Sequence, residues 1–155
     1  MATGVTQAPT DVKQLVSMVD GVKKNLNRNP KMVLADAGYC SDENLRQLKK
    51  KKIDGYIATA KDKHGPKPSA VKGRIPKGAS LRERMARKLR TKAGRAIYGT
   101  RKSTVEPVFG QIKEVRGFRR FLLRGLDNVS REWEMICLTH NLLKVFRHGR
   151  PALAR

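Results

Sequence analysis

Between Pro30 and Gly38 lie four consecutive apolar residues, Met32-Val-Leu-Ala35, followed at once by Asp36. An apolar run this short, bounded by chain breakers, reads as a buried strand of the parallel kind. Upstream, Val12, Leu15, Val16, Val19, Val22 and Leu26 recur at the spacing of an amphipathic helix. Thr10 or Asp11 is its expected N-cap, and Asn27-Arg-Asn-Pro30 stops it. Downstream, Ser41 is placed to cap a second helix. Asp42 and Glu43 suit its positive end, and the lysines at 49–52 suit its negative end. Ile53-Asp-Gly-Tyr56-Ile57-Ala58 then reads as a second strand. Helix, strand, helix, strand in this order predicts an α/β fold with parallel pairing. The expected strands are 31–35 and 53–59, as neighbours in one sheet. The expected helices are 11–26, 42–51, about 104–116 and 130–147.

At 155 residues the chain has the length of one domain, 1–155. Its net charge of +22 says little about fold and much about partners. The two usual counterparts are nucleic acid and anionic membrane. No apolar run reaches the 18 or so residues of a membrane span. The basic residues are spread over loops and several elements rather than along one amphipathic helix, which favours nucleic acid. Cys40 and Cys137 stand in no metal-ligand spacing and read as free thiols of a reducing cytoplasm. His140 falls inside an apolar helix and reads as a core histidine.

Over half of the charge sits in residues 61–101. That stretch holds fourteen Lys or Arg against only Asp62 and Glu83, a net +12. Its first half, rich in Gly and Pro, reads as a loop. Its second half, 80–96, consists of helix formers, with Leu81, Met85 and Leu89 spaced by four. So many like charges repel one another and call for a polyanion. Arg87, Lys88 and Arg90 are the expected phosphate contacts here.

The central stretch is Ser103-Thr-Val-Glu106-Pro-Val-Phe109-Gly-Gln-Ile112-Lys113-Glu-Val-Arg116. It places a single carboxylate, Glu106, at the expected start of a helix, amid positive charge. Two readings stay open. Ser103-x-x-Glu106 is a capping-box pattern, although Pro107 would then cost a helical hydrogen bond. Alternatively Glu106 is a metal ligand. Asp36 is open in the same way: it is a turn residue, or a site residue at the carboxyl end of a strand, where α/β sheets bind ligands. Taken together, the two acids beside a phosphate-binding surface suggest Mg²⁺ or Mn²⁺ held for attack on a phosphodiester, since hard ions take oxygen ligands.

Val33-Leu-Ala-Asp36-Ala-Gly38-Tyr39-Cys-Ser41, Ile53-Asp-Gly-Tyr56-Ile-Ala and Thr104-Val-Glu106-Pro-Val-Phe109-Gly-Gln-Ile-Lys113 resemble the C-terminal half of bacterial insertion-sequence transposases of the DDE type. The ending, from Trp133 through His140-Asn141-Leu142-Leu143-Lys144, resembles theirs too. The resemblance runs from about Val5 to Phe146. It implies a ribonuclease-H-like fold in which two Asp and one Glu bind two divalent metals. Asp36 then matches the second Asp and Glu106 the Glu. Many of these enzymes carry a Tyr-(2)-Arg-(3)-Glu-(6)-Lys signature. Tyr98, Glu106 and Lys113 match it, while Arg101 stands one residue out of step and Lys102 occupies the three-residue spacing. Basic residues on both sides of Glu106, with Arg116 beyond, would bind the phosphates that flank a scissile bond.

In the family the first Asp lies on a strand upstream of the helix read here at 12–26. Asp11 stands at that helix start and is not expected to replace it. The expectation is therefore an incomplete ribonuclease-H-like fold, with two core strands, flanking helices and the first strands missing. Such a chain would be inactive alone and partnered by the missing N-terminal half or another transposase copy. It would act on DNA, as transposon ends and target, in a bacterial cytoplasm. The competing expectation is a non-catalytic basic nucleic-acid-binding protein whose acids are only caps and turns.

Overall fold

A computed structural model describes residues 3–60, 69–71 and 73–148. The early part of the basic loop, 61–68 with Lys72, and the tail 149–155 lie outside the described residues. The chain divides into two compact units. One is built on Ala8–Val105, the other on Thr3–Gln7 together with Glu106–Arg155.

In the first unit, α1 spans Gln14–Leu26 and buries Leu15 and Val19. It starts later than its apolar pattern suggested. Lys13 is the N-cap residue without a side-chain cap, and Asp11 contributes only its carbonyl, which accepts from the Gln14 N–H at 2.9 Å. Asn27 ends the helix in the left-handed conformation, φ 53°, which asparagine tolerates. Strand β1, Met32–Ala35, pairs in parallel with β2, Asp54–Ile57, in the register Met32↔Asp54 to Ala35↔Ile57. Both predicted strands are thus present and adjacent, joined through α2, Asp42–Lys50. Ser41 caps α2 by accepting the Asn44 N–H at 3.1 Å. The Asn44 amide is buried but satisfied, donating to the Val12 carbonyl at 2.7 Å and the Tyr39 carbonyl at 2.8 Å. It ties α2 to the approach of α1. Leu15, Val19, Ala35, Cys40, Leu45, Leu48, Ile53 and Ile57 form the core, on which Leu81 and Met85 pack.

Helix α3 spans Leu81–Arg90, with a complete capping box: the Glu83 N–H donates to Ser80 Oγ, and the Ser80 N–H donates to Glu83 Oε2 at 2.8 Å. The Ser80 backbone N–H, then its hydroxyl, hold the Glu83 carboxyl below the usual carboxylate range. Thr91 breaks the helix formers of 80–96 into two helices. Its hydroxyl donates to the Lys88 carbonyl at 2.8 Å and accepts the Gly94 N–H at 2.9 Å, ending α3 and opening α4 with one side chain.

Helix α4, Lys92–Gly110, corrects the expected start near 104. Once nucleated at Thr91 the helix propagates through Gly99 and the signature residues, because elongation costs far less than initiation. It carries Pro107 in its interior and runs into a π-helical turn, Gln111–Val115.

In the second unit, α5 spans Leu126–His148. Its apolar circumference predicted full burial, with packing on the sheet or on the Glu106 helix. Contact with the Glu106 helix is present, since Phe109 of α4 lies parallel to Trp133 of α5. Burial is limited to one stripe, Ile136, Cys137 and His140, while Met135, Leu138, Leu142, Val145 and Phe146 are exposed. Hydrophobicity fixes how much of a helix can be buried; the number of neighbouring elements decides how much is.

His140 is 2% exposed, and neither ring nitrogen has a hydrogen-bond partner. Burial, then Lys144 and Arg116, push its pKa below the ordinary value. The unfolded chain therefore takes up this proton first, from about pH 6.5 downward, and stability falls as pH drops below that value. His140→Leu is expected to remove this acid sensitivity, which amounts to at most about 1.4 kcal/mol per pH unit. Urea midpoints measured between pH 7.5 and 5 check it. Equal acid slopes in the two proteins would contradict the assignment.

Candidate functional site

Asp36 follows the last residue of β1, so its position at a strand's carboxyl end is as read from the sequence. Its side chain is exposed, and Oδ1 accepts the Gly38 N–H at 3.0 Å, capping the short 3₁₀ turn Ala37–Tyr39. The turn reading of Asp36 is therefore correct as far as it goes, and the second oxygen has no hydrogen bond among the described residues. Gly38 keeps this corner open. A Cβ there would meet Asp36 Oδ1 at 3.2 Å and Asp11 Oδ2 at 4.0 Å. The Asp11 carboxylate thus sits beside Asp36, a neighbour that sequence separation concealed. Burial, then Asp11 and Asp36, raise the Tyr39 hydroxyl above its ordinary pKa.

Glu106 lies inside α4, so the capping-box reading at Ser103 is overturned. The Ser103 and Thr104 hydroxyls donate to the Thr100 carbonyl at 2.9 and 2.8 Å, the back-bonding of residues within a helix. Glu106 is exposed, and its side chain makes no ion pair or hydrogen bond among the described residues. Lys102 is one turn before it on the same helix face. Arg101 is more than a quarter turn away, half-buried, with its guanidinium 5.7 Å from the Tyr98 ring centre. Helix geometry thus separates two residues that spacing alone left equivalent.

Among the other predicted phosphate contacts, Lys88, Arg87 and Arg116 have partners within the protein, while Arg90 and Lys113 are exposed. Lys88 pairs with Asp54, donates to the Gly55 carbonyl at 2.8 Å and lies 3.7 Å from the Tyr56 ring centre, fastening α3 to β2. The Lys88 hydrogen bond leads in lowering the Asp54 pKa. Arg87 donates to the Gly73 carbonyl at 3.0 Å. Arg90 is exposed. Arg116 donates to the Ile136 carbonyl at 3.0 Å and to Thr139 Oγ1 at 2.5 Å, joining the π turn to α5. Lys113 is exposed, its ammonium 5.8 Å from the Phe109 ring centre.

The donor chemistry at Asp36 and Glu106 is hard oxygen, which suits a divalent cation of the magnesium type. Among the described residues no three His, Cys, Asp or Glu gather into a metal-holding group. No helix among them is long and apolar enough to cross a membrane.

The first unit is thus a parallel α/β unit with an acid at a strand's carboxyl end, and α4 carries a second acid, Glu106, with basic residues before it. The Transposase DDE domain family model matches residues 2–142, and the chain belongs to that family. Its domain is ribonuclease-H-like, and its members generally use divalent metal ions. No curated protein and no solved structure matches the chain.

Proposed function

We propose that this chain acts on DNA as part of the catalytic region of a bacterial insertion-sequence transposase of the Tyr-Arg-Glu-Lys branch. Asp36 and Glu106 are the carboxylates that would hold Mg²⁺ or Mn²⁺. The observation that carries this reading is the exposed Asp36 carboxylate at the carboxyl end of β1, in a chain of the DDE family. The bound ion would supply charge neutralisation at the phosphodiester and activation of the attacking oxygen. Lys102 and Lys113, on either side of Glu106 along the chain, would hold the flanking phosphates, and Tyr98 with Arg101 would brace the helix before them. The Gly38 N–H orients the Asp36 carboxylate.

DNA affinity on this reading comes largely from residues 61–101 and is independent of sequence. Binding should fall with salt at a log–log slope of roughly −0.9 per phosphate neutralised. Replacing Arg87, Lys88 and Arg90 by Ala together should flatten that slope by up to about three units if all three touch phosphate. Lys88 already holds Asp54 and Tyr56, so Lys88→Ala alone should lower stability by about 1 kcal/mol with the smallest change in slope. Fluorescence-anisotropy titrations across 50–300 mM salt test this. An unchanged slope in the triple variant would remove the segment from the contact surface.

The Asp36–Gly38 hydrogen bond also favours a second reading, a basic DNA-binding protein whose acids serve only the fold. Metal binding, treated below, separates the two.

A further inference from the structure

In the second unit, four of the chain's eight aromatic residues converge on one groove of about 470 Å³. That volume lies in the usual range of ligand pockets, roughly 300–1,000 Å³. Phe109 lies parallel to Trp133, with ring centres 6.2 Å apart and planes within 5°. Phe121 meets Trp133 edge-on, at 6.3 Å and 89°. Phe118 completes the wall. Aromatic rings that serve a core are normally covered, yet Phe109 is 43% and Phe121 44% exposed.

The groove's polar lining is cationic: Lys113, Arg119 and Arg120. Arg119 is paired with Glu114, while Arg120 is exposed and has no ion pair among the described residues. The loop that carries Phe121 is held in place by Glu132 of α5. Its carboxylate accepts the Leu122 N–H at 2.9 Å and the Leu123 N–H at 3.0 Å. The groove therefore combines flat apolar faces, positive charge and a fixed loop.

We infer that this groove is a binding site for an unpaired nucleobase of single-stranded DNA, with the adjoining phosphates on Lys113 and Arg120. Stacking on exposed aromatic faces beside backbone-tracking cations is how proteins hold single strands without reading sequence. A paired base inside a duplex does not present its face. The inference rests on DNA being the substrate and adds the strand state that the second unit recognises.

Trp133 is the chain's sole tryptophan and reports directly on the groove. The experiment compares oligothymidylate, an abasic oligonucleotide of equal length, and a duplex, by tryptophan fluorescence and by anisotropy. Oligothymidylate is expected to quench Trp133; the abasic strand, with the same phosphates, is expected to bind without quenching. Phe121→Ala should weaken oligothymidylate binding at least about fivefold and leave the abasic strand unaffected. Arg120→Ala should weaken both strands alike and flatten the salt slope by about 0.7. Because Phe121 and Arg120 are both exposed, the far-ultraviolet circular dichroism of these variants should match that of the parent. Equal affinity and equal fluorescence with thymidylate and abasic strands would overturn the base site while leaving DNA binding intact. Failure to bind any of the three DNAs would remove the DNA reading and this inference together.

Discussion

Gly94→Ala is expected to lower the thermal midpoint by about 10 °C, and Gly99→Ala, in the same helix, to raise it by a few degrees. Gly94 is buried in the first turn of α4. A Cβ there would lie 2.0 Å from the Lys88 carbonyl oxygen and 2.9 Å from Thr91 Oγ1. The first clash is with backbone and cannot be relieved by turning a side chain. Accommodating it would separate α3 from α4 and break the Thr91 hydrogen bonds that join them. Overpacking of this kind costs about 1–3 kcal/mol, and a backbone clash belongs at the upper end. Gly99 meets nothing within 4 Å. There the added methyl only reduces the freedom of the unfolded chain, stabilising by up to about 1 kcal/mol. Thermal melts followed at 222 nm decide the matter. A Gly94→Ala midpoint equal to the parent's would mean that the α3–α4 junction yields freely.

The second large effect concerns metal. Mn²⁺ added to isotope-labelled protein is expected to broaden the amide signals around Asp36 and around Glu106 together. Paramagnetic broadening registers even weak binding, so the measurement does not depend on turnover. Asp36→Asn and Glu106→Gln should each weaken the effect at both places, by at least about tenfold in apparent affinity. Outer-shell partners alone are worth 10–100-fold, and a direct ligand is worth no less. Broadening confined to Asp36 and Asp11, and unchanged by Glu106→Gln, would refute a shared ion. No broadening at either acid would favour the binding-protein reading, in which Asp36 serves its turn and Glu106 is a solvated helix residue.

Much of the first unit was legible in the chain. Period-3.6 spacing identified α1, and a four-residue apolar run between Pro30 and Gly38 identified β1. Ser41 at the head of α2 and the apolar run at 53–58 completed the parallel unit. These signals are local: a strand of a parallel sheet is apolar, although in β1 only Ala35 is buried, Val33 and Leu34 are half-buried and Met32 is exposed, and a helix start must satisfy free N–H groups. The position of Asp36 followed, because a strand's end is where its apolar run stops. Membership of the DDE family was legible in the same strings.

Where several local choices were equally good, the sequence did not decide. Ser80-x-x-Glu83 and Ser103-x-x-Glu106 offer the same capping pattern, yet only the first is a cap. Thr91 had already started a helix that swept through Ser103, and cooperative propagation overrode the second signal. Arg101 and Lys102 look interchangeable by spacing, and the helical repeat separates them. Lys88 reads as one cation among fourteen, but packing of α3 on β2 commits it to Asp54 and Tyr56. Asp11 and Asp36 are far apart in sequence and adjacent over Gly38. The aromatic groove left no signal in any single segment, since Phe109, Phe118, Phe121 and Trp133 belong to four different turns of chain. The sequence by itself determined the helices and parallel strands from α1 to β2, because backbone hydrogen bonding and side-chain periodicity act over a few residues. Tertiary structure alone decided which charges are spent inside and which face solvent. That depends on the neighbours each side chain meets, and those neighbours come from distant parts of the chain.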